Sequence, residues 1–200
     1  MTGWWLLARA RRTSSAVITI IALGVASHLL GDASVRISEN SSLSVPWVVV
    51  IPMATAAVIG ISSRSAVDTL EAGAARSLPA LRLAHLAAVL LIASAATLWG
   101  SSGLTDEFGS PAALRNLAGF TGLALISAAI FGGATAWALP VAMGVTVLTA
   151  GASEGRPHTW AWPIHPNTDS TALIAASVLL LLGTIALATV RTRQPAGEAA

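Results

Sequence analysis

The sequence predicts an all-α fold: a polytopic membrane bundle of six transmembrane helices that forms a single domain over residues 1–200. Six apolar runs occupy residues 14–30, 45–61, 83–100, 112–131, 134–150 and 171–189, and none contains a carboxylate. Each run approaches the length with which an α-helix crosses a hydrocarbon core of about 30 Å. A mean hydropathy of +0.74 with only 10% charged residues leaves too few polar side chains to surround these runs in water.

The apolar runs are predicted to be helices rather than barrel strands. In lipid the backbone must satisfy its own hydrogen bonds, which restricts a spanning segment to a helix or a closed barrel. Barrel strands alternate apolar and polar residues, whereas these runs are apolar on all sides. Pro52 is expected to kink the second helix. Ala128 and Gly132 form a small-xxx-small pair that would permit close helix approach.

The arginines predict the orientation of the bundle, because all 11 basic residues are arginine. On the side shared by the two termini lie Arg9, Arg11, Arg12, Arg64, Arg76, Arg82, Arg191 and Arg193, and on the other side lie Arg36, Arg115 and Arg156. Positive residues accumulate on the cytoplasmic side of membrane proteins. Both termini are therefore predicted to be cytoplasmic.

The composition excludes several kinds of chemistry. The chain has no cysteine, which excludes disulfides, thiolate metal sites and cysteine nucleophiles. It also has no lysine, and so no phosphate-binding P-loop. Its pI of 11.0 accompanies a net charge of only +2 with dispersed arginines, so no nucleic-acid partner is expected. We predict that the chain by itself is not an enzyme and holds no cofactor.

Residues 2–12 combine Trp4 and Trp5 with arginines ahead of the first apolar run. We expect an interfacial helix on the cytoplasmic surface, and an ordinary aromatic anchor is the alternative. Arginines followed by an apolar run also occur in secretory signal peptides. Retention of the first run is preferred, because no convincing small-x-small cleavage site follows it.

Residues 62–81 form the longest polar segment on the cytoplasmic side, and they carry Arg64, Asp68, Glu71 and Arg76. Ser65 or Asp68 is suited to cap a short amphipathic helix, which Pro79 would end before the third span. A solvated connector is the alternative interpretation.

Residues 151–170, here called the outer segment, contain Trp160 and Trp162. Indole rings favour the membrane interface, so we expect both to be buried there or against the first and fifth spans. His158, His165 and Asp169 of this segment could meet His28 in a metal site, but their spacing fits no established ligand pattern. Interfacial packing is the preferred role of the histidines, and no metal is expected.

Arg115 and Asn116 are the polar pair closest to the interior of a span. Ionisable groups inside a membrane are candidates for function. Because Arg115 lies one turn from the boundary, it could instead extend to the lipid headgroups.

The order of these parts resembles the membrane subunit of ABC-2-type (type V exporter) transporters, in particular the small actinobacterial permeases. TGWWLLARARR stands where that family has an elbow helix, VDTLEAGAARSLPALR where it has the coupling helix, and WAWP where it has outer re-entrant helices. The stretch RNLAGFTGLALISAAIFGGATAW, followed by LP, is similar to its fourth and fifth spans. An alanine- and arginine-rich composition without lysine agrees with a GC-rich actinobacterial genome.

The resemblance implies the permease subunit of an ATP-driven exporter in the bacterial plasma membrane, moving an amphipathic or apolar substrate such as a peptide, antibiotic or lipid. A separate ABC ATPase subunit would hold ATP and Mg, and a second permease chain, identical or different, would complete the unit within the membrane lipid. The implied sites are ATPase coupling by Arg64, Asp68, Glu71 and Arg76, an outer gate of Trp160 and Trp162, and a polar pathway at Arg115 and Asn116. A non-transport membrane protein, such as an immunity factor or assembly anchor, is the alternative, ahead of an intramembrane enzyme.

Overall fold

A computed structural model describes residues 13–30, 34–36, 44–63, 78–104, 108–153 and 156–189. These residues form α1 (Thr13–Leu30), α2 (Trp47–Ser62), α3 (Leu78–Gly100), α4 (Ser110–Phe131), α5 (Ala138–Ala150) and α6 (Ser170–Thr189). Five of the six, counting α5 with the turn before it, are long and apolar enough to cross a membrane. The shorter α2 has 16 residues. The predicted all-α membrane bundle is confirmed.

Short pieces of other structure join the helices. Strands β1 (Ser34–Arg36) and β2 (Ser44–Pro46) pair antiparallel before α2, and β3 (Ala152–Ser153) pairs with β4 (Arg156–Pro157) after α5. A 3₁₀ turn at Gly133–Thr135 precedes α5, and a second at Trp162–Ile164 lies in the outer segment. The described part of the outer segment before α6 contains no α-helix, so it differs from a pair of re-entrant helices.

The start of α3 differs from the prediction. This helix begins at Leu78, ahead of the predicted run, so Pro79 lies in its first turn. Proline is favoured at that place, because the N–H it lacks would have no intrahelical partner there. The short helix that Pro79 was expected to end falls outside the described residues. The predicted interfacial helix at residues 2–12 lies outside the described residues, as do Arg64, Asp68, Glu71 and Arg76.

The helices run alternately up and down, which brings the outer segment to the end of the bundle formed by the C-termini of α1, α3 and α5. We call this the loop end, and its exposure to the cell exterior stays a prediction. The central helix is α4, which packs most extensively against α6 and α2. In α4 61% of the span is buried, against 17–28% in the other four candidate spans.

Helices α4 and α6 cross closely at two glycines. A Cβ atom on Gly122 would lie 2.2 Å from the backbone of Leu179, and one on Gly183 would lie 2.5 Å from the carbonyl oxygen of Gly122. The two backbones therefore touch, an arrangement that small residues make possible in membrane bundles.

The expected close approach at Ala128 and Gly132 was wrong. Gly132 has a φ of 99°, and a Cβ atom there would meet nothing within 4 Å. It accepts a positive φ that other residues rarely adopt. Gly132 therefore ends α4 and does not pack against another helix.

Candidate functional site

The outer segment is anchored in the bundle by Trp162. This side chain is only 4% exposed, and its ring lies 5.1 Å from that of Phe120 on α4. Gly119 makes room for the indole, since a Cβ atom there would lie 2.3 Å from Cη2 of Trp162. The 3₁₀ turn that carries Trp162 packs against α4, α5 and α6. Trp162 therefore fills a notch in the central helix, and the turn that carries it packs against the fifth span, which was one of the two spans expected.

Arg115 of α4 binds the outer segment with both terminal nitrogens of its guanidinium group. Its Nη1 donates to the carbonyl oxygen of Pro166 at 2.9 Å and its Nη2 to that of His165 at 2.7 Å, while Nε donates to Oδ1 of Asn116 at 3.3 Å. The residue is 4% exposed. A buried cation is tolerated when its donors are satisfied, and a planar fork of N–H groups suits two adjacent carbonyls. Arg115 thus points into the protein and does not extend to the lipid headgroups.

Two asparagines complete this contact. Asn116 is fully buried, and its Nδ2 donates to the carbonyl oxygen of Pro163 at 2.9 Å. In the opposite direction, Oδ1 of Asn167 accepts the backbone N–H of Ala112, in the first turn of α4, at 2.8 Å. First-turn N–H groups have no partner within their own helix. Arg115, Asn116 and Asn167 therefore form what we call the polar clamp between α4 and the outer segment.

Asp169 and His165 extend the polar clamp to α6. Oδ1 of Asp169 accepts the backbone N–H groups of Thr171 at 2.8 Å and Ala172 at 3.1 Å, which makes Asp169 the N-cap of α6. Its Oδ2 contacts Nδ1 of His165. The hydrogen bond from Ala172, followed by that from His165, holds the pKa of Asp169 below its ordinary value. The other ring nitrogen of His165, Nε2, lies 3.0 Å from the carbonyl oxygen of His158.

The remaining candidate residues lie apart from the polar clamp. Trp160 is 42% exposed within the protein, and its ring stacks on that of His158 with centres 6.1 Å apart. Its expected burial at the membrane interface stays a prediction. His28 stacks on Trp99 at 4.7 Å, which joins α1 to α3 at the loop end. Among the described residues no three histidine or acidic side chains are placed to hold a metal ion.

A narrow crevice lies between α1, α2 and α3 and reaches α4. Pro52 and Thr55 of α2 line it together with Ser27 of α1 and Thr97 of α3. Its free space is comparable to that of a single water molecule. This crevice is therefore far too small for a substrate.

The polar clamp was only partly predictable. Arg115 and Asn116 stand out in the sequence because they interrupt an apolar run, and both belong to the clamp. Asn167 gave no signal, since an asparagine in a proline-rich loop is ordinary. Gly119 and Gly122 share a short glycine-rich stretch of α4 that could have predicted a crowded helix face.

The chain matches no protein-family model, and no curated protein sequence or solved structure is significantly similar to it. Fold and site together define its class. It is an all-α multi-pass membrane bundle in which a polar clamp joins the central helix to the outer segment at the loop end.

Proposed function

We propose that the chain is the membrane permease subunit of an ATP-driven exporter, which moves an amphipathic or apolar substrate across a bacterial plasma membrane. The observation that carries the proposal is the difference between the two ends of the bundle. The loop end is closed by contacts that join one segment to three helices. The long charged segment, residues 62–81, joins α2 to α3 at the opposite end. An exporter requires both parts: an exit that can be closed and a surface for its motor.

The motor would be a separate ATPase subunit, because the chain has no lysine and so no P-loop. Arg64, Asp68, Glu71 and Arg76 supply charges of both signs, which suit the orientation of a partner at a hydrated surface. A second permease chain, identical or different, would provide the other half of the pathway. Closure of the ATPase pair would push on this segment and open the loop end.

Co-purification from native membranes tests the partner. We expect a P-loop ATPase to accompany the wild-type chain and to be lost from the double variant Asp68→Arg, Glu71→Arg, because charge reversal turns attraction into repulsion. Arg156→Glu is the matched control, since it reverses an exposed charge near the loop end and should retain the ATPase. The proposal fails if no ATPase accompanies the wild-type chain, or if the double variant retains it.

The outer gate is tested separately by the two tryptophans. Trp162→Ala should empty the notch at Gly119 and let the loop end leak or lose transport, because a buried ring is removed. Trp160→Ala removes a half-exposed ring and should have the smaller effect. If the double variant Trp160→Ala, Trp162→Ala transported normally and did not leak, the two tryptophans would be membrane anchors only.

The tight packing around α4 favours one alternative, a non-transport membrane protein such as an immunity factor or an assembly anchor. The backbone contact at Gly122 and the water-sized crevice would suit a static scaffold. Reconstitution separates the two functions: the exporter requires ATP-dependent movement of substrate by the complex, and the scaffold requires none.

A further inference from the structure

His165 faces a hydrogen-bond acceptor at each of its two ring nitrogens. Nδ1 contacts the carboxylate of Asp169, and Nε2 lies 3.0 Å from the carbonyl oxygen of His158. A neutral imidazole has one N–H and one lone pair, whereas the protonated ring has two N–H groups. A lone pair aimed at either acceptor would be repelled. With Asp169 ionised, only the protonated ring satisfies both contacts.

The proton belongs on the ring rather than on Asp169. Oδ1 of that carboxylate already accepts two backbone N–H groups at the N-terminus of α6, and the positive end of the helix favours an anion there. The pKa of Asp169 is lowered by the hydrogen bonds from Ala172 and His165. An ionised Asp169 beside a protonated His165 is therefore the consistent assignment.

The other charged and titratable groups around His165 support this assignment. Arg115 of α4 donates to the carbonyl oxygen of His165, away from its ring, and is attracted by Asp169. His158 contributes its backbone carbonyl oxygen, while its own ring stacks on Trp160. α5 contains no titratable residue. Among the described residues, Asp169 is thus the counter-charge that His165 meets directly.

We propose that His165 is a proton-operated latch, which holds the outer segment closed over the loop end when its ring is protonated. Losing a proton removes one of its two N–H donors, and either Asp169 or the carbonyl oxygen of His158 then loses its partner. The turn at 158–161 is then no longer fixed to the N-terminus of α6. Trp162 follows that turn directly, so its fit in the notch at Gly119 is loosened as pH rises. The proposal does not depend on transport.

Single-cysteine labelling measures the latch, because the chain has no cysteine of its own. Ile164→Cys places a thiol at a buried position (3% exposed) in the 3₁₀ turn, and Ser102→Cys places one at an exposed position in another loop. Full-length chains in lipid nanodiscs are labelled with a maleimide between about pH 5 and pH 8, the range in which histidines ordinarily change charge. Dividing the labelling rate of Ile164→Cys by that of Ser102→Cys removes the pH dependence of thiol reactivity.

We expect this ratio to rise about tenfold with pH, the factor for losing one charge-assisted hydrogen bond. His165→Gln should abolish the rise, whereas His158→Gln should retain it, since only the backbone of His158 is used. A ratio independent of pH in the parent chain would overturn the latch even if His165→Gln failed to fold. A rise that persists in His165→Gln, or that disappears in His158→Gln, would also overturn the latch.

Discussion

The two halves of the central helix α4 are held in different ways. Its first half, from Ser110 to Phe120, contacts the outer segment through Arg115, Asn116 and a tryptophan in a glycine notch. Its second half contacts α6 through Gly122, where the backbones touch. Lipid tails are as apolar as leucine, so burial of apolar surface does not hold helices together within a membrane. Close backbone packing holds the second half of α4 in place, and hydrogen bonds hold the first half.

This contrast between the two halves of α4 indicates which contacts can be broken and formed again. A backbone-to-backbone crossing has no partly open form, because separating the helices loses all of its contacts together. The hydrogen bonds of the polar clamp can be exchanged for water at the loop end, where water is close. The clamp is therefore the part of α4 suited to opening, and the glycine crossing is the part suited to staying closed.

Breaking the crossing should have the largest effect. Gly122→Leu inserts a side chain where even a Cβ atom would lie 2.2 Å from the backbone of Leu179. We expect a loss of about 3 kcal/mol or more in unfolding free energy, measured in mixed micelles. Gly103→Leu is the matched control, because a Cβ atom there meets nothing within 4 Å. Equal stability of the two variants would show that α4 and α6 do not touch.

Breaking the polar clamp should cost slightly less. Arg115→Leu leaves the carbonyl oxygens of His165 and Pro166 without their donors, and we expect a loss of about 2–3 kcal/mol. Protease cleavage within the outer segment should increase in parallel. Arg115→Lys keeps the charge without the planar fork, so an intermediate loss is expected. If Arg115→Lys lost as much stability as Arg115→Leu, binding of both carbonyl oxygens would be the essential property of Arg115. If Arg115→Lys lost no stability, the charge alone would be sufficient.

The N-cap of α6 should show a pH dependence of known sign. The lowered pKa of Asp169 means that its contribution is present above its ordinary pKa of about 4 and is lost as pH falls through the lowered value. Asp169→Ala should cost about 2 kcal/mol at neutral pH, and Asp169→Asn about 1 kcal/mol, because asparagine still caps the helix. Thermal unfolding from pH 7 to pH 3 measures both. If Asp169→Asn lost stability at low pH in the same way as the wild-type chain, other carboxylates would be responsible for that loss.

The smallest effect concerns a hydroxyl in the second half of α4. Thr121 is fully buried, and its Oγ1 has no hydrogen-bond partner among the described residues. Thr121→Val removes that hydroxyl and should stabilise the bundle by up to about 1 kcal/mol. The matched change is Thr55→Val, which deletes a bond of 2.9 Å to the carbonyl oxygen of Ile51 and should not stabilise. Destabilisation by Thr121→Val would indicate an ordered water on that hydroxyl.

The apolar runs alone predict an all-α membrane bundle and the approximate position of each helix. Helix α6 begins within one residue of the predicted run, and α1 does as well. That information is local, because an apolar run of sufficient length must form a helix in lipid. The pair Arg115 and Asn116 could also be singled out, because charge and amide groups are rare inside spans.

What those two residues contact, and which glycines bring helices together, depends on long-range packing. Asn116 bonds to a carbonyl 47 residues away, and the partner of Gly122 is a backbone on another helix. Neither relation leaves a trace in local composition. Gly132 and Gly122 look alike in the sequence, yet one ends a helix and the other joins two, since the role of a glycine depends on what approaches it.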